Sequence, residues 1–271
     1  MSRRFTFGVL RSGCVLLLLS STVAVEFAAQ APIDLFGSRR RASGAPVAPV
    51  SEGWETNPDG TFNLYFGYQN RNWEEEVTIP VGPNNFFSPG SPDRGQPMHF
   101  LVNRQKRVFT VIVPKDFGNQ TLVWTLISRG STETVPGKLS PILEIDTKKD
   151  GDNAAPTIAL GPDQTIRASQ SATLTARVTS GKASGRGDQG RRARGSRLTV
   201  SWRKYRGPGI VTFANAAPPV TDGEAVTSAT FSEPGVYVLH AIADEGSMSD
   251  SSGIPGFMCC WTNAQTTITV Q

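Results

Sequence analysis

Apolar and polar residues alternate along most of this chain, the period of a strand with one buried face. Nowhere do apolar residues recur at three-and-four spacing over the length of a helix. The alternation is clearest in Val108-Phe109-Thr110-Val111-Ile112-Val113 and in Phe62-Asn63-Leu64-Tyr65-Phe66. Over residues 52–146 it predicts strands at Phe62–Tyr68, Glu76–Val81, Met98–Val102, Arg107–Pro114, Leu122–Ser128 and Leu139–Ile145. Over residues 156–271 it predicts them at Thr157–Leu160, Ala172–Thr179, Leu198–Arg203, Ile210–Phe213, Ala225–Phe231, Gly235–Asp244 and Gln265–Val270. Turn signals separate them: Asn57-Pro58-Asp59-Gly60, Gly82-Pro83-Asn84-Asn85, Ser88-Pro89-Gly90-Ser91-Pro92 and Gly207-Pro208-Gly209. Each stretch has the strand number and spacing of one β-sandwich. The expected architecture is therefore all-β, with two sandwich domains in tandem.

Composition sharpens this picture at the ends and joints. The 271 residues include 27 Gly and 19 Pro, a content that suits turn-rich β structure. Residues 1–31 differ from the rest. Arg3, Arg4 and Arg11 precede an apolar run from Cys14 to Val25, and Ala29-Gln30-Ala31 offers a small-x-small cleavage site. That is the layout of a signal peptide for the general secretory route, and the run is short for a bilayer span. Residues 32–51, with Arg39-Arg40-Arg41 and Ala45-Pro46-Val47-Ala48-Pro49-Val50, are expected to form an extended, mobile Pro/Ala linker. Residues 147–155 are expected to be a polar hinge, whose Asp150-Gly151-Asp152 supplies only part of a calcium-ligand set.

Charge adds one local feature. Lys182, Arg186, Arg191, Arg192, Arg194 and Arg197 lie among glycines and account for the basicity of the second half. The basicity of the second half thus comes from one loop, and no nucleic-acid-binding fold is implied. Such a loop attracts acidic glycans or phosphate-rich surfaces, or it is a tolerated surface insertion. Arg186-Gly187-Asp188 within it spells an integrin-type tripeptide, a match short enough to arise by chance.

Few residues carry the pattern of a catalyst. There is no Gly-x-Ser-x-Gly elbow, no P-loop and no dinucleotide fingerprint, so no cofactor is expected. His99 and His240 lie within strands, and the alternation Val238-Leu239-His240-Ala241-Ile242 places His240 on the solvent side of a sheet. Past the signal peptide only Cys259 and Cys260 remain. They are either two small thiols beside Trp261 or a vicinal disulfide formed after export, and with distant His99 and His240 they do not make a zinc site. Glu74-Glu75-Glu76 and Asp93 are the carboxylates from which a hydrolase pair would be drawn; an acidic run more often blunts a sheet edge. Aromatic binding is the better candidate. Tyr68, Trp73, Phe86 and Phe87 sit in or beside turns, where exposed rings stack on sugars or pack on a partner protein, unless they complete the core.

Two resemblances add to this. Gly161-Pro162-Asp163-Gln164-Thr165-Ile166, Ser201-Trp202, Gly207-Pro208-Gly209 and the run from Thr230 to Asp244 resemble the PKD and receptor-for-egg-jelly group of immunoglobulin-like domains. That resemblance implies a Trp packed between sheets, matched by Trp202, and a Tyr anchoring a corner after Pro-Gly, matched by Tyr237. Ser180-Gly181 and the basic insertion depart from the group's pattern. Gly53-Trp54, Asn57 to Phe62, Asn70-Arg71-Asn72-Trp73 and Val113 to Gly118 resemble a segment of uncharacterised secreted proteins from environmental bacteria, which implies bacterial origin and export. The expectation is an exported, non-enzymatic binding or structural module, periplasmic, at the cell surface or extracellular, with no membrane span in the mature chain. Its candidate partners are an envelope protein or an acidic or neutral glycan, with no nucleic acid. The candidate binding residues are Trp73, Tyr68, Phe86, Phe87, Arg191, Arg192 and Arg194. A sugar-binding protein is the first alternative and a hydrolase the second.

Overall fold

A computed structural model describes residues 41–145, 155–181, 198–245 and 261–271, and Arg40–Gln271 form one compact unit. Its described residues are all-β apart from one 3-10 turn at Pro141–Leu143. The first half contributes β1 (Val47–Thr56), β2 (Phe62–Asn70), β3 (Val77–Thr78), β4 (Asn85–Ser88), β5 (His99–Phe100), β6 (Asn103–Val113), β7 (Leu122–Ser128) and β8 (Ser131–Gly137). Sheets β1-β2-β6 and β4-β7-β8, with the small pair β3-β5, enclose one core. Trp124 is at its centre, fully buried, edge-on to Phe109 at 5.0 Å and stacked on Phe87 at 5.8 Å.

The second half contributes β9 (Thr157–Leu160), β10 (Gln164–Ile166), β11 (Ala172–Thr179), β12 (Thr199–Arg206), β13 (Val211–Phe213), β14 (Glu224–Phe231), β15 (Gly235–Asp244) and β16 (Trp261–Val270). Sheets β13-β14-β11-β9 and β10-β16-β15-β12 face each other across a second core. Strict alternation builds it: Ala172, Leu174, Ala176 and Val178 of β11 point inward while Thr173, Arg177 and Thr179 are exposed. Trp202 is buried between these sheets, as the sequence predicts. Tyr237 makes the expected corner. Its hydroxyl donates to the Glu233 carbonyl (2.7 Å) and accepts from the Gly209 N–H (3.2 Å). Gly207 approaches the ring so closely, at φ +132°, that any Cβ there would strike it.

Four expectations change. Residues 45–51 are not linker: Ala45 and Val47 are buried, and β1 pairs with β2 from Val47↔Asn70 to Thr56↔Phe62. Pro49 is tolerated because β1 is the outer strand of its sheet, where one N–H is dispensable. Leu139–Ile145 is not a strand. Leu139 packs against the first core, Pro141 opens the 3-10 turn, Ile142 is exposed, and Ile145 is buried again, donating its N–H to the Trp54 carbonyl (2.8 Å). β4, β8 and β10 fall where turns or no element are expected. His240 is not on a solvent face; it is fully buried, because the outer face of β12-β15-β16 is covered by the first sandwich. The expected signal peptide 1–31, residues 32–40 and the Asp150-Gly151-Asp152 segment lie outside the described residues.

Candidate functional site

The aromatic candidates separate into two kinds. Tyr68 and Phe87 are core residues, each about 1 % exposed, and cannot stack on a ligand. Tyr68 accepts the Leu101 N–H (2.9 Å), and burial pushes its phenol well above the usual range. Small sandwiches fill with large rings, and these two serve that need. Trp73 is 43 % exposed, held by its N–H on the Arg41 carbonyl (2.9 Å), and Phe86 on β4 is half-buried. Arg191, Arg192, Arg194, Cys259 and Cys260 lie outside the described residues, as does Arg186-Gly187-Asp188.

Three of the four carboxylate candidates, Glu75, Glu76 and Asp93, are held by a basic side chain. Glu75 pairs with Arg129 and accepts the Gly44 N–H (2.6 Å). Glu76 meets His99 Nε2 at 2.8 Å, and that hydrogen bond holds its carboxyl below the usual range. Asp93 takes both ends of the Arg206 guanidinium (2.8 and 3.0 Å) and the Gly95 N–H (2.9 Å); the Arg206 bonds hold it low. Glu76 and Asp93 therefore lack the proton that a general acid needs. Among the described residues no group of three or more His, Cys, Asp or Glu is placed to hold a metal ion. An open groove of about 490 Å³ lies over the end of β11, flanked by Ile158, Asp222 and the Arg177–Glu224 pair (3.4 Å).

The densest polar constellation is the junction between the two sandwiches. It begins with a β-bulge. In the β12–β15 register Lys204 faces Leu239 and Arg206 faces Val238, so Tyr205 is the extra residue. A bulge re-aims its side chain, and Tyr205 enters the first core, 2 % exposed. Its hydroxyl donates to the Gly95 carbonyl (2.5 Å) and its carbonyl accepts the Met98 N–H (3.0 Å). Arg206 adds the Asp93 fork and a bond to the Gln96 carbonyl (2.6 Å). Arg203 donates to Gln105 Oε1 (2.8 Å), and Asn263 of β16 to the Arg107 carbonyl (2.6 Å). The Arg107 guanidinium lies over the rings of Tyr65 and Trp261 at 4.9 and 5.3 Å.

His240 sits within this junction, directly across from Arg203 on β12 and edge-on to the Tyr205 ring at 5.3 Å. Neither ring nitrogen has a hydrogen-bond partner among the described residues, although the nearby Asn263 side chain favours the protonated form. Burial, reinforced by the Arg203 charge, pushes the imidazole down to about 3. The junction was legible in two places. Trp202 and Tyr205 are three apart, which breaks the strand period, and Val238 to Ile242 has apolar residues on both faces.

No protein-family model matches the chain, and no curated protein matches it. Solved structures that match the chain include S-layer protein SbsC domains 4 and 5 (11 % identity, 83 % of this chain and 98 % of that one, TM-score 0.27). The D00-D0 domain of intimin is similar at 10 % identity over 82 % and 99 %, TM-score 0.26. A conjugative transposon lipoprotein from Bacteroides eggerthii covers 41 % of this chain and 95 % of its own at 8 % identity, TM-score 0.27. Likenesses this distant assign no role to any residue. Among the described residues no helix is long and apolar enough to cross a membrane.

Proposed function

We propose that the chain is an exported, non-enzymatic binding or structural module of the bacterial cell envelope or extracellular space. The observation that carries this is the junction: Tyr205, Arg206 and Arg203 of the second sandwich are each bonded into the first. Polar side chains that a catalyst would leave exposed and adjustable are spent instead on joining two sandwiches into one body. The buried Trp202 and the Tyr237 corner support the kinship of the second sandwich with PKD-type domains. Residues 1–31 as signal peptide, 147–155 as hinge and 156–271 as the second domain belong to the same proposal. The first domain runs to residue 146 and begins with β1 rather than at residue 52.

Cell fractionation of the tagged full chain, with N-terminal sequencing, tests export. The expected result is recovery outside the cytoplasm with an N-terminus near Ala31 or Pro32. Cytoplasmic protein that keeps Met1 would overturn it. A screen against hydrolase substrates is expected to match buffer; turnover abolished by Asp93→Asn would reverse the non-enzymatic assignment.

Trp73 favours a second function, sugar binding, because its ring remains 43 % exposed. A glycan array of wild type and Trp73→Ala decides it. Binding lost in the variant supports stacking on this ring, and an array blank for both removes the sugar.

A further inference from the structure

The junction contains a group that resists charging only while the junction stays shut. His240 is fully buried, carries two unpartnered nitrogens, and faces a guanidinium that has no ion-pair partner among the described residues. The ionisable groups beside it are Arg203 and Tyr205 on β12; Tyr68 on β2 interacts with the Arg203 charge, and the Arg107 carbonyl of β6 holds the neighbouring Asn263. The neutral side chains are Asn263 on β16 and Gln105 on β6. No described carboxylate contributes to its titration. An imidazolium formed there would sit in a desolvated space beside Arg203 with nothing to neutralise it.

We propose that His240 is an acid-sensitive latch: its protonation parts the two sandwiches along the outer face of β12-β15-β16 while each core stays folded.

The direction follows from linkage. The closed junction holds the imidazole near 3, against 6.5 when it is free. A group depressed in this way contributes its full share to closure above pH 6.5 and loses it as pH falls toward 3. At pH 4 the open form should gain roughly 200-fold over its share at neutral pH, from that difference alone. The two cores contain no comparable histidine: His99 lies in the β3-β5 pair, with its Nε2 on Glu76. Acid also weakens the attraction between Glu76 and Lys204 across the junction, only below 4.5 because the Glu76 carboxyl is held under that value, and the Arg206–Asp93 pair. The Asp93 carboxyl is held below 3.8, so that pair weakens only under that pH.

Native hydrogen exchange on the full mature protein reads this directly, because the Met98 amide donates across the junction to the Tyr205 carbonyl. Protection of Met98, corrected for the intrinsic rate, is expected to fall about 200-fold from pH 7 to pH 4. Amides of β7 and β11 should stay protected over the same range. His240→Phe keeps an aromatic ring against Tyr205 and removes the titration, so its Met98 protection should be flat across that range. His240→Leu gives the same comparison if the Phe variant does not fold. Asp93→Asn should keep the wild-type fall. Equal falls in wild type and in the His240 variant would overturn the latch. So would loss of β7 or β11 protection at the same pH as Met98, since the chain would then be unfolding rather than parting.

Discussion

Trp202 and Tyr237 anchor the second sandwich from adjacent strands, and each does so through a different force. Tyr237 works through geometry, its hydroxyl closing the corner between Glu233 and Gly209. Trp202 works through volume. Its indole nitrogen is buried with no partner among the described residues, so the ring stabilises by packing and in spite of its N–H. Trp202→Ala should cost about 3–5 kcal/mol, the range for truncating a large buried aromatic. Urea unfolding followed by circular dichroism measures it; a loss below about 1 kcal/mol would mean that the sheets close over the gap. Both residues were legible in the sequence because a Trp on one strand and a Tyr just after Pro-Gly make a local signature. Trp124, the centre of the first core, was only one more apolar position in an alternating strand, since its importance arises from Phe66, Phe87 and Phe109 converging from three other strands.

At the scale of strands, period-two alternation located those with one wet face and missed those whose partners compensate for an unusual composition. β1 reads as linker because of Pro46, Pro49 and its alanines, yet β2 supplies the ladder that holds it. β8 reads as loop because its Ser, Thr and Glu are largely surface positions, and only Gly137 is buried. β4 is short and depends on Asn85, which is fully buried. Its Nδ2 donates to the carbonyls of Ile79 (2.9 Å) and Pro97 (2.8 Å), and its Oδ1 accepts the Trp124 indole N–H (3.0 Å). Asn70 and Asn72 do the same for the chain around β1, with Asn72 gripping Ala45 at both N–H and C=O. Such amides take the place of sheet hydrogen bonds in segments too irregular to form them. Asn85→Ala strands three buried partners and should destabilise by roughly 3 kcal/mol. The same change at the exposed Asn119 should stay within about 0.5 kcal/mol. Equal denaturant midpoints for the two variants would show that the buried network contributes nothing.

For the molecule as a whole, the question is whether two cores behave as two domains. Their separate clusters suggest independence, but Tyr205 belongs to the first core while its backbone belongs to the second. Unfolding the second sandwich therefore withdraws a ring from the first and strips partners from Asp93, Gln96, Gln105 and Met98. That coupling predicts one calorimetric transition for the wild type at neutral pH. Tyr205→Ala removes the shared ring and its bond to Gly95, so the single transition should split, the first sandwich melting earlier. Acid tests the same coupling without a mutation. Asp93 has a lowered carboxyl pKa, so its ion pair contributes above the free value of 3.8 and is lost only as pH falls through the folded value. His240 contributes fully above 6.5 and loses ground from there downward. The two windows barely overlap, and a splitting that appears between pH 6 and 4.5, above the range where Glu76 and Asp93 take up protons, belongs to the histidine. Wild type at pH 4.5 should thus resemble Tyr205→Ala at pH 7, with two transitions, whereas His240→Phe at pH 4.5 should keep one. Two transitions in the wild type at neutral pH would mean that the shared tyrosine transmits too little energy to join the cores.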